Sequence, residues 1–194
     1  MKTTHLLSLG ALALAFALPA AAHNVVYTTE LLSEPGVDES TATGFARVTL
    51  DMDDFTMRVE ANLSGLTAPS TGSHIHCCTP VSNAGVSPVA VDFPGFPLNV
   101  TSGTYDHTFD LTLAASLRDS FFDRQGGTAS GALAALEQGM NSGKAYFNIH
   151  SEKFIGGELR GNFNAPAVPE PHSGLLLLMG LAGVGAVVQR RRAN

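Results

Sequence analysis

Positive charge and cysteine are both scarce in this chain of 194 residues. There are 11 Lys and Arg against 17 Asp and Glu, a net charge of −6, and the only cysteines are the adjacent Cys77 and Cys78. No basic patch gathers the cations. That excludes nucleic acid as the natural partner, because phosphate contacts need clustered Lys and Arg. A glycine-rich phosphate loop, a heptad repeat and an internal repeat of useful length are all missing, so nucleotide-loop, coiled-coil and solenoid architectures find no support. No Ser-His-Asp order or paired-carboxylate motif stands out.

What is present begins at the two ends. Lys2 and His5 precede an apolar run from Leu6 to Leu18, Pro19 breaks it, and Ala20-Ala21-Ala22 supplies the small residues that signal peptidase cuts after. Residues 1–22 therefore read as a secretory signal peptide, with His23 as the new N-terminus. At the other end Val168-Pro169-Glu170-Pro171 leads into an apolar run from Leu175 to Val188 and then Arg190, Arg191 and Arg192. Arginines stay on the cytoplasmic side while the run occupies the bilayer, so the segment is expected to form a transmembrane helix holding the rest outside. The run is shorter than the ~20 residues that usually span, and its flanks carry the argument.

This segment resembles the PEP-CTERM sorting signal of Gram-negative bacteria. The resemblance implies processing near Pro169-Glu170-Pro171 by an exosortase, a membrane-embedded cysteine protease-transpeptidase. It also implies delivery to the periplasm, outer surface or medium after transient inner-membrane anchoring. The linker and tail occupy 166–194, and a single folded domain is expected over 23–165, long enough to bury a core. Without the two end segments the charge is more lopsided, with seven basic and 16 acidic residues. Such a body suits cations or plain solubility outside the cell. In that oxidising setting three fates are open to Cys77 and Cys78: a vicinal disulfide, intermolecular bridges, or soft metal ligation.

The domain reads as all-β. Phe55, Met57, Val59 and Ala61 alternate with polar residues over 54–63, and Tyr105, His107, Phe109, Leu111 and Leu113 do so over 104–113. Period two is the mark of a sheet with one wet face. Further strands are expected over 25–32, 44–50, 72–77, 86–93, 144–150 and 157–163. Many short strands between turns predict an antiparallel Greek-key sandwich, immunoglobulin-like or superoxide-dismutase-like. The Ala- and Leu-rich stretch 114–139 is expected to be a short helical insertion, with Ser130 as a cap and Gly139 as its end.

Chemistry concentrates in Ser73-His74-Ile75-His76-Cys77-Cys78 and in Tyr146-Phe147-Asn148-Ile149-His150, followed by Gly157-Glu158-Leu159-Arg160-Gly161. Residues two apart on a strand share a face, so His74 pairs with His76 and Asn148 with His150. With the strand Tyr27-Thr28-Thr29-Glu30-Leu31 and with Thr43-Gly44-Phe45-Ala46, these motifs resemble the CHRD domain, the module described in chordin and in bacterial exported proteins. That family usually has glycine after His-x-His, where this chain has Cys77-Cys78. The resemblance implies a fold more than an activity.

His-x-His on one strand and a histidine on a later one also resemble the copper site of copper-zinc superoxide dismutases. A copper or zinc site on His74, His76 and His150 is the sharp expectation, with Cys77 or Cys78 as a further ligand. Asn148, Glu158 and Arg160 are expected to be structural, the last two locking the His-bearing strand, and His107 to be a core histidine. A free N-terminal His23 could chelate copper by itself. Two readings follow: a non-enzymatic surface or matrix module, whose partners would be extracellular polysaccharide or matrix components, or a copper- or zinc-binding, dismutase-like protein. The first is preferred, because nothing in the sequence defines a substrate pocket.

Overall fold

The computed structural model describes residues 24–166. The leader, His23, the Pro169–Pro171 motif, the apolar run and Arg190–Arg192 lie outside the described residues. Among the described residues no helix is long and apolar enough to cross a membrane.

All eight expected strands are present: β1 (Asn24–Ser33), β2 (Thr43–Asp51), β3 (Thr56–Ser64), β4 (Ser70–Cys77), β5 (Val89–Asp92), β6 (Gly103–Asp110), β7 (Ala145–Ser151) and β8 (Leu159–Asn162). They pair antiparallel in the order β5-β4-β7-β8-β1-β2-β3-β6. The two layers of the expected sandwich are thus two halves of one curled sheet, and β1 is the hinge between them. Its first eight residues pair with β2. Its last two, Leu32 and Ser33, pair with β8.

Period-two patterning drives the closure. Met57, Val59 and Ala61 of β3 point inward, as do Tyr105 and Phe109 of β6, and they meet Ile75, Val91, Phe147 and Ile149 from the other half in a single core. Phe93, just after β5, joins the layers, with its ring centroid 5.3 Å from that of Tyr105, 6.0 Å from Phe109 and 5.0 Å from Phe147. Burying such side chains contributes roughly 1.5–3 kcal/mol each. Leu113 departs from the expected alternation and is exposed, because β6 ends at Asp110.

The helical stretch is three pieces rather than one: a 3-10 turn (Ala114–Ser116), α1 (Asp119–Arg124) and α2 (Ala129–Asn141). The cap of α2 is Thr128, not Ser130; the Thr128 Oγ1 accepts from the Gly131 N–H at 3.1 Å. Thr128 is extended where Ser130 is already helical, and only an extended residue can turn its hydroxyl back onto the first free N–H groups. The helix buries Ala132, Leu133, Leu136, Gly139 and Met140 against the sheet.

Candidate functional site

Antiparallel register builds the site. On β4, His74 lies opposite Asn148 of β7, Gly72 opposite His150 and His76 opposite Tyr146. His150 is thus the diagonal neighbour of His74, a spacing that long side chains bridge. On the other side His74 lies opposite Asp92 of β5, and the register shifts between Ile75 and His76. Ile75 points into the core, so both β4 histidines stand on the outer face, half-buried.

The structure brings His74, His76 and His150 together, one nitrogen from each lying within 4.8 Å of the others. Each outer ring nitrogen has an acceptor. The His76 Nδ1 lies 2.7 Å from the Ser87 carbonyl, and the His150 Nδ1 lies 2.8 Å from the Ile155 carbonyl. The His74 Nε2 sits 3.3 Å from the Asp92 Oδ1. A carbonyl can only accept, so Nδ1 carries the proton on His76 and His150, while the His74 proton has an acceptor within reach of either nitrogen, the His150 Nε2 or the Asp92 carboxylate. The His76 and His150 rings then turn their Nε2 lone pairs inward. The His74 Nδ1 and His150 Nε2 stand 3.2 Å apart, and the His76 Nε2 is buried with no partner. A His74 Nδ1–H donated to the His150 Nε2 satisfies that pair in the metal-free protein, and a metal ion can take the place of that proton; the His76 lone pair has no such partner.

An additional proton, which would make a ring cationic, is disfavoured. Burial first, and then the neighbouring His150, push the His74 pKa down to about 4. Burial likewise lowers His76, although its bond to Ser87 works the other way. The sign for stability follows. Depressed folded values mean that the unfolded chain takes up more protons below the ordinary histidine value of 6.5. Metal-free protein is therefore expected to be most stable above that value and to weaken as pH falls toward about 4. Unfolding midpoints in urea plus chelator across this range check it; a flat profile down to the carboxylate range would contradict it.

The surroundings hold the rings in place. The Tyr146 ring stacks on His76 at 4.6 Å, and the Arg160 guanidinium covers its other face at 3.6 Å. Arg160 also pairs with Glu34 at 3.1 Å. Asn148, 2% exposed, donates to the Glu34 Oε2 at 2.8 Å and to the Leu159 carbonyl at 3.0 Å. Gly157 sits at φ +123°, and any Cβ there would strike the Asn148 amide. Glu158 is fully buried, and its Oε1 accepts from the Ser40 hydroxyl at 2.7 Å and from the Thr67 N–H and hydroxyl at 2.6 and 2.8 Å. Burial alone would raise that carboxyl, but bonds from Ser151, Thr67 and Ser40 together outweigh it and hold the pKa low.

Several expectations need correction. Cys77 and Cys78 are not in the cluster: they form a disulfide with each other. Bonded sulfurs offer no thiolate, and strand alternation turns Cys77 to the face opposite His76, under α2. His107 is half-buried between Tyr105 and Phe109 rather than in the core, and it is not one of the three converging histidines. Sequence reasoning missed Asp92, which the β4–β5 register delivers, and Arg118, which pairs with it. It missed Tyr146 as well, although the spacing 146, 148, 150 already places that ring on the histidine face.

A family model for the CHRD domain matches residues 22–163, and one for the PEP-CTERM protein-sorting motif matches 167–192. The sorting motif implies export, exosortase processing and transient anchoring through the C-terminal segment. Among curated proteins and solved structures, none matches the chain. The first match runs from the residues before β1 through β8 and contains the whole histidine cluster. This chain belongs to the CHRD domain family.

Proposed function

We propose that this exported protein is a cell-surface or extracellular-matrix module that holds one copper or zinc ion on His74, His76 and His150. The observation that carries the reading is convergence: one nitrogen from each of three imidazoles lies within 4.8 Å of the others, the outer N–H groups of His76 and His150 are engaged by carbonyls, and the buried His76 Nε2 has no partner. A carboxylate or carbonyl behind each imidazole is the usual arrangement around a bound metal. Two nitrogens on one tetrahedral zinc stand about 3.3 Å apart, which follows from bonds of about 2.0–2.1 Å. The 3.2 Å between His74 and His150 is already at that spacing. Three neutral nitrogen ligands suit copper and zinc, and they leave a fourth position for water or a partner's donor atom.

The test is metal analysis of the processed protein, purified after export without an affinity tag. Close to one equivalent of copper or zinc is expected, falling below about one tenth in His74→Ala, His76→Ala and His150→Ala, because two remaining ligands cannot close the site. Sub-stoichiometric metal in the unaltered protein, or retention in all three variants, overturns the reading.

A further inference from the structure

The far face of β4 carries a second cavity, independent of the metal reading. It is a half-open pocket of about 630 Å³, within the range of small-molecule sites. The Cys77–Cys78 disulfide, Pro88 and Ala135 line it together with Arg124, Gln125, Gln138 and Lys144. Helix α2 reaches the sulfurs only because Gly139 has no side chain: a Cβ there would fall 2.5 Å from the Cys77 Sγ and 2.8 Å from the Cys78 Sγ.

Charge makes the cavity unusual. Between the two end segments the chain has seven basic and 16 acidic residues. Two of those seven cations line this cavity, and no Asp or Glu does. Neither Arg124 nor Lys144 has an ion-pair partner among the described residues. Arg124 is exposed and Lys144 is half-buried. The negative end of α2 does not offset them, since the Gln138, Gly139 and Met140 carbonyls are taken by the N–H groups of Ser142, Lys144 and Gly143.

We infer that this cavity binds an acidic sugar, a pyranose ring bearing a carboxylate. Arg124 and Lys144 meet the carboxylate, a charge-assisted contact roughly twice as strong as a neutral one. The Gln125 and Gln138 carboxamides each donate and accept, which matches vicinal hydroxyls. The apolar face of the ring lies on the soft, polarisable sulfurs and on Pro88. Phosphate is the poorer fit, because no glycine-rich loop turns a row of backbone N–H groups toward the cavity.

The experiment is calorimetric titration of the processed protein with D-glucuronate, and with glucose and acetate as probes of ring and charge alone. Glucuronate is expected to bind with Kd on the order of 1 mM, typical of so small a ligand. Glucose and acetate should each bind at least about tenfold more weakly, and Arg124→Gln and Lys144→Gln should each cost about tenfold. Urea midpoints of both variants are read alongside, so that a loss of binding is separated from a loss of fold. Absent glucuronate binding overturns the inference. So does equal affinity for glucose or acetate, or undiminished binding by both variants. Metal content is unaffected in every arm, so failure here is distinct from failure of the metal site.

Discussion

Glu158→Ala is expected to lower the unfolding free energy by about 3–5 kcal/mol, the largest effect of a single side chain outside the apolar core. One carboxylate oxygen gathers three donors, from Ser40 in the β1–β2 connection and from Thr67 between β3 and β4. The Glu158 backbone meanwhile pairs with Glu34 and with Ile149 of β7. Two connections and the edge of the histidine-bearing strand thus converge on one fully buried group. Alanine leaves the buried Ser40 hydroxyl and the Thr67 N–H and hydroxyl without their acceptor; a buried unpaired donor costs about 1–3 kcal/mol, and the two on Thr67 cost less because that residue is exposed to water. Glu158→Gln keeps an acceptor oxygen and should lose less. Urea unfolding of the metal-free protein measures both; a loss under about 1 kcal/mol for alanine would reduce Glu158 to a bystander.

Asp92→Asn is expected to weaken metal binding 10- to 100-fold while barely moving metal-free stability. Asp92 faces the His74 Nε2 at 3.3 Å and shares its charge with Arg118. With an ion on the His74 Nδ1, the ring becomes more polar and the carboxylate behind it stabilises the added positive charge. Asparagine still offers an oxygen but no charge. The Asp92–Arg118 pair is substantially exposed, so its loss alone is worth under about 1 kcal/mol. Competition against a chelating dye reads the affinity, and urea midpoints read the fold. Unchanged affinity in Asp92→Asn would detach Asp92 from the site. A fall in affinity matched by a collapse of the metal-free fold would make it structural instead.

The legible part of the site was local. His74-Ile75-His76 and Asn148-Ile149-His150 repeat with the two-residue period of a strand, so each pair declared its shared face from spacing alone. The strands over 54–63 and 104–113 were legible for the same reason, since burial on one side of a sheet imprints alternation on the chain, whereas β7 is buried on both faces over most of its length and shows none. The helical stretch was legible only as composition. Thr128 rather than Ser130 caps α2 because a cap depends on backbone angles that alanine and leucine content does not encode. The vicinal disulfide was one of three open fates, and the neighbour that decides its surroundings, Gly139, lies 61 residues further along the chain.

By itself the sequence determined which residues alternate, which face the histidines share and, through its C-terminal sorting motif, that the protein is exported, because each depends on neighbours within a few positions. Only the tertiary structure decided that β4 lies between β5 and β7. That order sets Asp92 behind His74, brings His150 to 3.2 Å of it and leaves a cationic cavity under α2. Register between strands some 70 residues apart is chosen by the packing of the whole core, and no short window of the chain contains that information.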